Sequence, residues 1–147
     1  AKLSSGDSVL DVCFGLGYNS LIAIHDTKNL DITALEIDKN ILEKIKDLEI
    51  RKELREDYEK IKSVAKNLHY RDEGCEISLL MGDALKTVKE LKKQFDGVFF
   101  DPFSPRKHPA LWTKSFFKDI NRVMNSHNPN AIEEISGLII ISFILYF

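Results

Sequence analysis

Cysteine is scarce in this chain. Cys13 and Cys75 are the only two, and they stand in no metal-binding spacing. That excludes a disulfide framework. No signal-peptide pattern opens the sequence, so a reducing cytoplasm is the simple expectation. Cys13 sits in an apolar run and is expected to be a small core residue, not a reactive thiol. A dominant charge is lacking too. The 21 Lys and Arg against 23 Asp and Glu leave a net charge of −2, which exerts no global pull toward nucleic acid or membrane. Long apolar runs are also missing. The stretch from Gly137 to Phe147 is apolar but falls well short of the ~20 residues that a spanning helix needs. It is expected to be a buried strand, or else sequence foreign to this domain. There is no internal repeat and no low-complexity tract. Nor is there an initiating methionine: the text starts at Ala1 and enters a strand almost at once, as a piece of a longer chain would.

What is present suits one soluble globular domain over residues 1–147, with 44% hydrophobic and 30% charged residues. Ser8 to Cys13 reads as a first strand. Phe14-Gly15-Leu16-Gly17-Tyr18-Asn19-Ser20 then turns into a short apolar helix through Leu21, Ile22 and Ile24. A glycine-rich turn from strand to helix lets backbone approach a ligand and aims helix N–H groups at it. On its own that pattern is weak. Asp31 to Glu36 reads as a second strand ending in an acid, 19 residues after Gly17. Nucleotide-binding α/β folds place a ribose-binding carboxylate at about that spacing, although a solvated strand-end acid is the plain alternative.

Asp38 is a plausible cap for a helix bearing Ile41, Leu42, Ile45 and Leu48. A second helical stretch carries Leu54, Tyr58, Ile61, Val64 and Leu68, and its mixed charges suit a solvated face. Glu76 to Met81 reads as a third strand, followed by Gly82-Asp83-Ala84. Asp83 can cap the helix of Leu85, Val88 and Leu91, accept a bond from a ligand's amino group, or do both. The stretch from Phe95 to Lys107 supplies a fourth strand, and Asp101-Pro102-Phe103-Ser104-Pro105 ends it. Two prolines forbid helix and strand there, so a carboxylate is left on a stiff loop at a strand's carboxyl end. Thr113 is a plausible cap for a last helix burying Phe116, Phe117, Ile120, Val123 and Met124. Strands alternating with helices imply a mostly parallel sheet with right-handed crossovers. A glycine turn, Glu36, Asp83 and Asp101 all fall at carboxyl ends of its strands, where open α/β sheets bind ligands.

Together, Val9-Leu10-Asp11-Val12-Cys13-Phe14-Gly15-Leu16-Gly17-Tyr18-Asn19, Glu36, Gly82-Asp83-Ala84 and the run from Asp101 to Thr113 resemble a known family. It comprises the S-adenosylmethionine-dependent methyltransferases that finish 5-methylaminomethyl-2-thiouridine at the tRNA wobble position. The resemblance runs from about Leu3 to Met124 and is most specific from Asp101 to Thr113. It implies a Rossmann-like class I methyltransferase fold, mostly parallel and flanked by helices, and incomplete at the C-terminal end. It implies S-adenosylmethionine as cofactor and a tRNA anticodon loop as substrate. A flavin-dependent oxidoreductase, fused or separate, would act upstream.

The resemblance also implies roles. Gly15 and Gly17 would border the methionine part of the cofactor, and Asp11 and Ala84 would belong to the same site. Glu36 would hold the ribose hydroxyls and Asp83 the adenine amino group. Asp101 would face the methyl group and the incoming amine as the catalytic residue. Phe103, Arg106, Lys107 and Trp112 would form the substrate side, with Trp112 available for stacking. After Met124 the chain departs from the family pattern, and residues 125–147 form an atypical tail. Two other readings stand beside this one: an aminopropyltransferase or small-molecule methyltransferase on the same scaffold, and a cofactor-binding remnant without turnover.

Overall fold

The computed structural model describes residues 3–102 and 104–125, and the backbone of residues 138–140. The chain starts its sheet with β1, Ser8–Val12, in which Val9, Leu10, Asp11 and Val12 are all fully buried. Burial on both faces marks a strand covered by helices on each side. There follow α1 (Tyr18–Asp26), β2 (Leu30–Glu36), α2 (Lys39–Lys46), α3 (Arg55–Asn67), β3 (His69–Arg71), β4 (Cys75–Met81), α4 (Ala84–Glu90), β5 (Gly97–Phe100), α5 (Lys114–Arg122) and β6 (Leu138–Ile140). Short 3₁₀ turns at Lys52–Leu54 and Pro109–Trp112 lead into α3 and α5.

The sheet runs β3-β4-β2-β1-β5-β6. Every neighbouring pair is parallel except β3 with β4. Val9 stands opposite Ile32 and Gly97, and Leu10 opposite Thr33 and Val98. Successive side chains point to opposite faces, so the strands feed two cores. One holds Val9, Ile32 and Ile77 with Leu21 of α1 and Ile61 and Val64 of α3. The other holds Leu10, Val12, Val98 and Phe100 with Val88 of α4 and Phe116 and Ile120 of α5. The predicted caps form: Asp38 accepts from the Asn40 N–H, Asp83 from that of Leu85, and Thr113 from that of Phe116. Each satisfies an N–H that the first helical turn leaves without a partner.

The expected Rossmann-like, mostly parallel sheet is therefore what the chain builds. Four details differ from expectation. Strand β3 was not foreseen; it is antiparallel, only three residues long and largely exposed, so no apolar alternation announces it. Leu48 lies beyond α2. Leu68 ends α3 in a left-handed conformation (φ 61°) and is 42% exposed, so it does not extend that helix's apolar face, whereas Leu48 still packs, partly buried, against the first core. Ile22 of α1 is 45% exposed, on the side away from the sheet's neighbours Leu21 and Ile24. Of the expected strand near the end, β6 pairs with β5. Residues 126–137 and 141–147, most of the expected tail, lie outside the described residues. Among the described residues no helix is long and apolar enough to cross a membrane.

Candidate functional site

A cavity of about 670 Å³ opens at the carboxyl ends of β1, β2, β4 and β5. Its wall is built by the segments that leave those strands. Cys13, Phe14, Gly15, Leu16, Tyr18 and Asn19 come from the first. Leu35 to Asp38 come from the second, with Ile41 and Lys44 of α2. Gly82 to Leu85 follow β4. Asp101, Pro102 and residues 107–111 follow β5.

The first turn is held by its glycines. Gly15 has φ 57° and Gly17 φ 77°, a left-handed backbone that side chains resist. A Cβ on Gly17 would also lie 2.5 Å from Ile61 Cγ2 and 2.9 Å from Phe14 Cζ. Gly17 thus lets α1 seat against α3, and it is absent from the cavity wall, whereas Gly15 belongs to it. Tyr58 of α3 supports the same turn by donating from its hydroxyl to the Leu16 carbonyl at 3.2 Å.

Glu36 is nearly buried at 9% exposure, and its carboxylate is held by backbone. Oε2 accepts from the Gly15 N–H at 2.8 Å; Oε1 accepts from those of Ile37 and Asp38 at 2.8 and 2.9 Å. A carboxylate offers about four acceptor sites, so about one remains for a ligand hydroxyl. Asp83 lines the cavity while its Oδ1 caps α4 at 3.0 Å, so both of its expected positions are compatible. Ala84 lines it as well.

Asp101 enters the wall one residue after β5. Its N–H donates to the Val12 carbonyl at 3.3 Å, and its Oδ2 accepts from Asn19 Nδ2 at 3.4 Å. Burial raises its pKa above the ordinary carboxylate value, against the lowering effect of Asn19.

Asp11 departs from expectation. It is fully buried, does not line the cavity, and lies beneath its floor in β1. Its Oδ2 accepts from Ser20 Oγ at 2.6 Å, while Oδ1 is buried without a partner. Burial pushes its pKa up to about 7; the Ser20 hydroxyl opposes this, and the charges of Asp101 and Glu36 add to it. Asp11 therefore makes no direct wall contact.

Cys13 is half-buried in the wall with φ 69°, not sealed in the core. Burial, with Glu36, Asp11 and Asp101 nearby, pushes its thiol up to about 12, so it is not a thiolate at neutral pH.

The substrate side divides. Lys107 lines the cavity, and so does His108. Arg106 is exposed and outside the wall. Trp112 is also outside it: half-buried, its ring makes T-shaped contacts with Phe100 at 5.1 Å and with Phe117 at 6.5 Å. Phe103 lies outside the described residues. The sequence reading passed over Asn19, Ile37 and Lys44. Asn19 stands in the glycine motif itself. Ile37 is 64% exposed in the wall directly after the strand-end acid, and an apolar residue at that place is the signal that could have found it. Lys44 carries no such signal.

Comparison with known proteins agrees with this fold. The family model described as S-adenosyl-L-methionine-dependent methyltransferase matches residues 45–131. The uncharacterized protein MJ0670 of Methanocaldococcus jannaschii is 35% identical over 127 residues, covering 84% of this chain and 36% of the relative. The tRNA 5-methylaminomethyl-2-thiouridine biosynthesis bifunctional protein MnmC of Pseudomonas savastanoi pv. phaseolicola is 32% identical over 72 residues, 49% of this chain and 11% of that protein. The crystal structure of MNMC2 from Aquifex aeolicus superposes with a TM-score of 0.67 at 28% identity, covering 85% of this chain and 41% of that one. The chain thus spans well under half the length of these relatives.

Proposed function

The chain belongs to the S-adenosyl-L-methionine-dependent methyltransferases, and from that premise we propose that it methylates the aminomethyl nitrogen of the modified wobble uridine in tRNA. The observation that carries the substrate assignment is Asp101. It stands in the cavity wall on a loop bounded by Pro102 and Pro105, in the stretch that most closely resembles the wobble-uridine enzymes. The name of a similar protein, the tRNA 5-methylaminomethyl-2-thiouridine biosynthesis bifunctional protein MnmC, supports the same substrate class.

The residues present fit the cofactor. A volume of about 670 Å³ is in the range of small-molecule sites. Glu36 has an acceptor site left for a ribose hydroxyl, and Asp83 offers a carboxylate to an amino group. Ile37 and Leu85 give apolar surface for a flat ring, and Gly15 lets the main chain come close. Acidic groups beside the turn suit a cation. When bound, S-adenosylmethionine supplies a methyl group already activated by its sulfonium.

What remains falls to this chain's residues. They must hold a neutral amine in line, because alignment accounts for most of such a transfer. A primary amine is largely protonated at neutral pH. Asp101 accepts a hydrogen bond from the amine, takes up a proton from it, and offsets the positive charge that develops on nitrogen. A carboxylate whose pKa is raised by burial is a better base for that purpose. Asn19 orients it, and the prolines limit the conformations of its loop. Lys107 and His108 are placed to meet the phosphates or the base of a splayed anticodon nucleotide, a contact that salt would weaken. On this reading the reaction takes place in the cytoplasm, and a flavin-dependent oxidoreductase delivers the free amine.

The test is single-turnover transfer of labelled methyl from S-adenosylmethionine to tRNA bearing the aminomethyl wobble uridine. Label in that nucleotide is expected. Label passing to a polyamine or other small amine, and not to tRNA, would instead favour a small-molecule enzyme on the same scaffold.

A further inference from the structure

Asp11 has no part in the mechanism above, yet it is the most unusual ionisable group among the described residues. It is fully buried in the middle of the sheet. One oxygen accepts from Ser20 of α1 at 2.6 Å, and the other has no partner at all. The charges that press on it are Asp101, after the neighbouring strand β5, and Glu36, at the end of the other neighbour β2. The Cys13 thiol, two residues on, is neutral. Asp101 is itself half-buried, and the Val12 carbonyl receives its N–H. Three carboxylates therefore converge on one side of the first turn. Asp11 and Asp101, both poorly solvated, resist being ionised together.

We propose that Asp11, coupled to Asp101, is a one-proton counter-charge beneath the cavity that makes the site hold a cationic sulfonium more tightly than the neutral thioether left after methyl transfer. The inference rests on the cofactor reading above. With the cavity empty, full burial and an orphaned oxygen make Asp11 the favourable place for one proton. A positive charge in the wall stabilises the fully ionised group, and the proton leaves to solvent. During transfer an N–C bond forms and an S–C bond breaks, so the sulfonium charge disappears. One N–H proton passes from the amine to Asp101, and neutralising that carboxylate removes its repulsion of Asp11. The site thus loses one positive charge on sulfur and gains one proton on its acids, and its total charge does not change. That keeps a buried charge from being left without a counterpart at any stage.

Proton and ligand affinities are reciprocal, so the coupling is measurable without turnover. Titration calorimetry of the chain with S-adenosylmethionine and with S-adenosylhomocysteine, from about pH 6 to about pH 7.5, reads it directly. Affinity for the sulfonium should rise ~3-fold or more across that range, while affinity for the thioether changes less than ~2-fold. Two buffers of different ionisation enthalpy should show proton release on binding the first ligand only. Asp11→Asn carries the ligands' own titrations but not this one, and should flatten the difference. Ser20→Ala removes the hydroxyl that favours the ionised form, and should move the inflection to higher pH. Equal pH slopes for the two ligands in the wild-type chain, or an inflection unmoved in Ser20→Ala, would overturn the proposal even if Asp11→Asn does not fold. Failure of both ligands to bind at any pH is a different result and would overturn the cofactor reading itself.

Discussion

The Gly15 N–H donates to Glu36 Oε2 at 2.8 Å, and this bond joins the first strand-to-helix turn to the end of the second strand. The other oxygen of the same carboxylate receives the N–H groups of Ile37 and Asp38. One side chain thereby fixes two of the four segments that wall the cavity. The acid is a structural brace and, in the proposed cofactor site, a ligand group as well, so a substitution there would touch both roles.

Replacing Glu36 with alanine leaves three backbone donors without their acceptor and removes the remaining site for a hydroxyl. Affinity for S-adenosylmethionine should fall by on the order of 1–3 kcal/mol. Glu36→Gln keeps one acceptor oxygen and should fall between. Calorimetry on the two variants checks this, and affinity unchanged in Glu36→Ala would remove the residue from cofactor binding.

Gly17→Ala should destabilise the fold by ~1–3 kcal/mol, because its φ of 77° disfavours any Cβ and the new atom would lie 2.5 Å from Ile61 Cγ2. Coupling is the sharper measure. If the clash is the cause, Ile61→Ala should cost less in the Gly17→Ala background than alone. Additive costs in denaturant unfolding would assign the whole effect to the backbone.

The sequence carried the parallel sheet because its strands are nearly continuous apolar runs ending in turn residues, and its helices begin at Asp38, Asp83 and Thr113 with side chains that cap. It carried Glu36, Asp83 and Asp101 because strand ends project to one rim. It could not show that Asp11 and Gly17 stay out of the cavity. One amino-acid string cannot say whether a motif residue faces a ligand or the layer beneath it, and in both cases a contact from elsewhere decides: Ser20 for Asp11, Ile61 for Gly17. Trp112 misleads similarly, since its partners Phe100 and Phe117 come from a strand and a helix whose approach only the fold reveals. Strand β3 escaped because three residues, two of them exposed, are too short a run to show a pattern.

Asp72 closes the loop before β4. It accepts from the N–H groups of Gly74 and Cys75 at 2.7 and 2.8 Å, from Tyr70 Oη at 3.0 Å and from Lys60 Nζ at 3.1 Å. Desolvation acts to raise its pKa, but these bonds outweigh it and hold the carboxyl well below the usual range. A depressed acid contributes stability above its unfolded value of about 3.9 and loses it as pH falls through the folded one. Asp72→Asn should therefore be less stable than wild type at neutral pH, and the two should converge in strong acid. A gap in unfolding midpoints that persists unchanged down to about pH 2 would contradict this.

Asp11 carries the opposite sign. Its folded pKa, about 7, stands above the ordinary 3.8, so the folded state keeps a proton that the unfolded chain has already lost. Its contribution to stability falls as pH rises from about 4 to about 7 and is level above that. Asp11→Asn has no such loss. Relative to wild type, its unfolding free energy should climb across that window by up to a few kcal/mol. Parallel stability curves for the two proteins would show that the buried carboxyl is not protonated.

Asp101 is the residue on which the proposed chemistry turns. Asn19 donates to its side chain in the wall, and Val12 receives its amide. Asp101→Asn keeps the shape and the bond to Val12. Affinity for the neutral S-adenosylhomocysteine should change little, while methyl transfer to the wobble uridine should drop by ~10²-fold or more, as expected for loss of a base that also balances developing charge. Because burial raises the carboxyl above its ordinary pKa, the wild-type single-turnover rate should rise with pH through a range above that of a solvated aspartate, and this limb should vanish in the variant. Asn19→Ala removes the hydrogen bond that lowers the pKa, so the limb should shift to higher pH with the carboxylate retained. A variant Asp101→Asn within a fewfold of wild type at every pH would leave alignment alone to account for the rate, with no acid taking part.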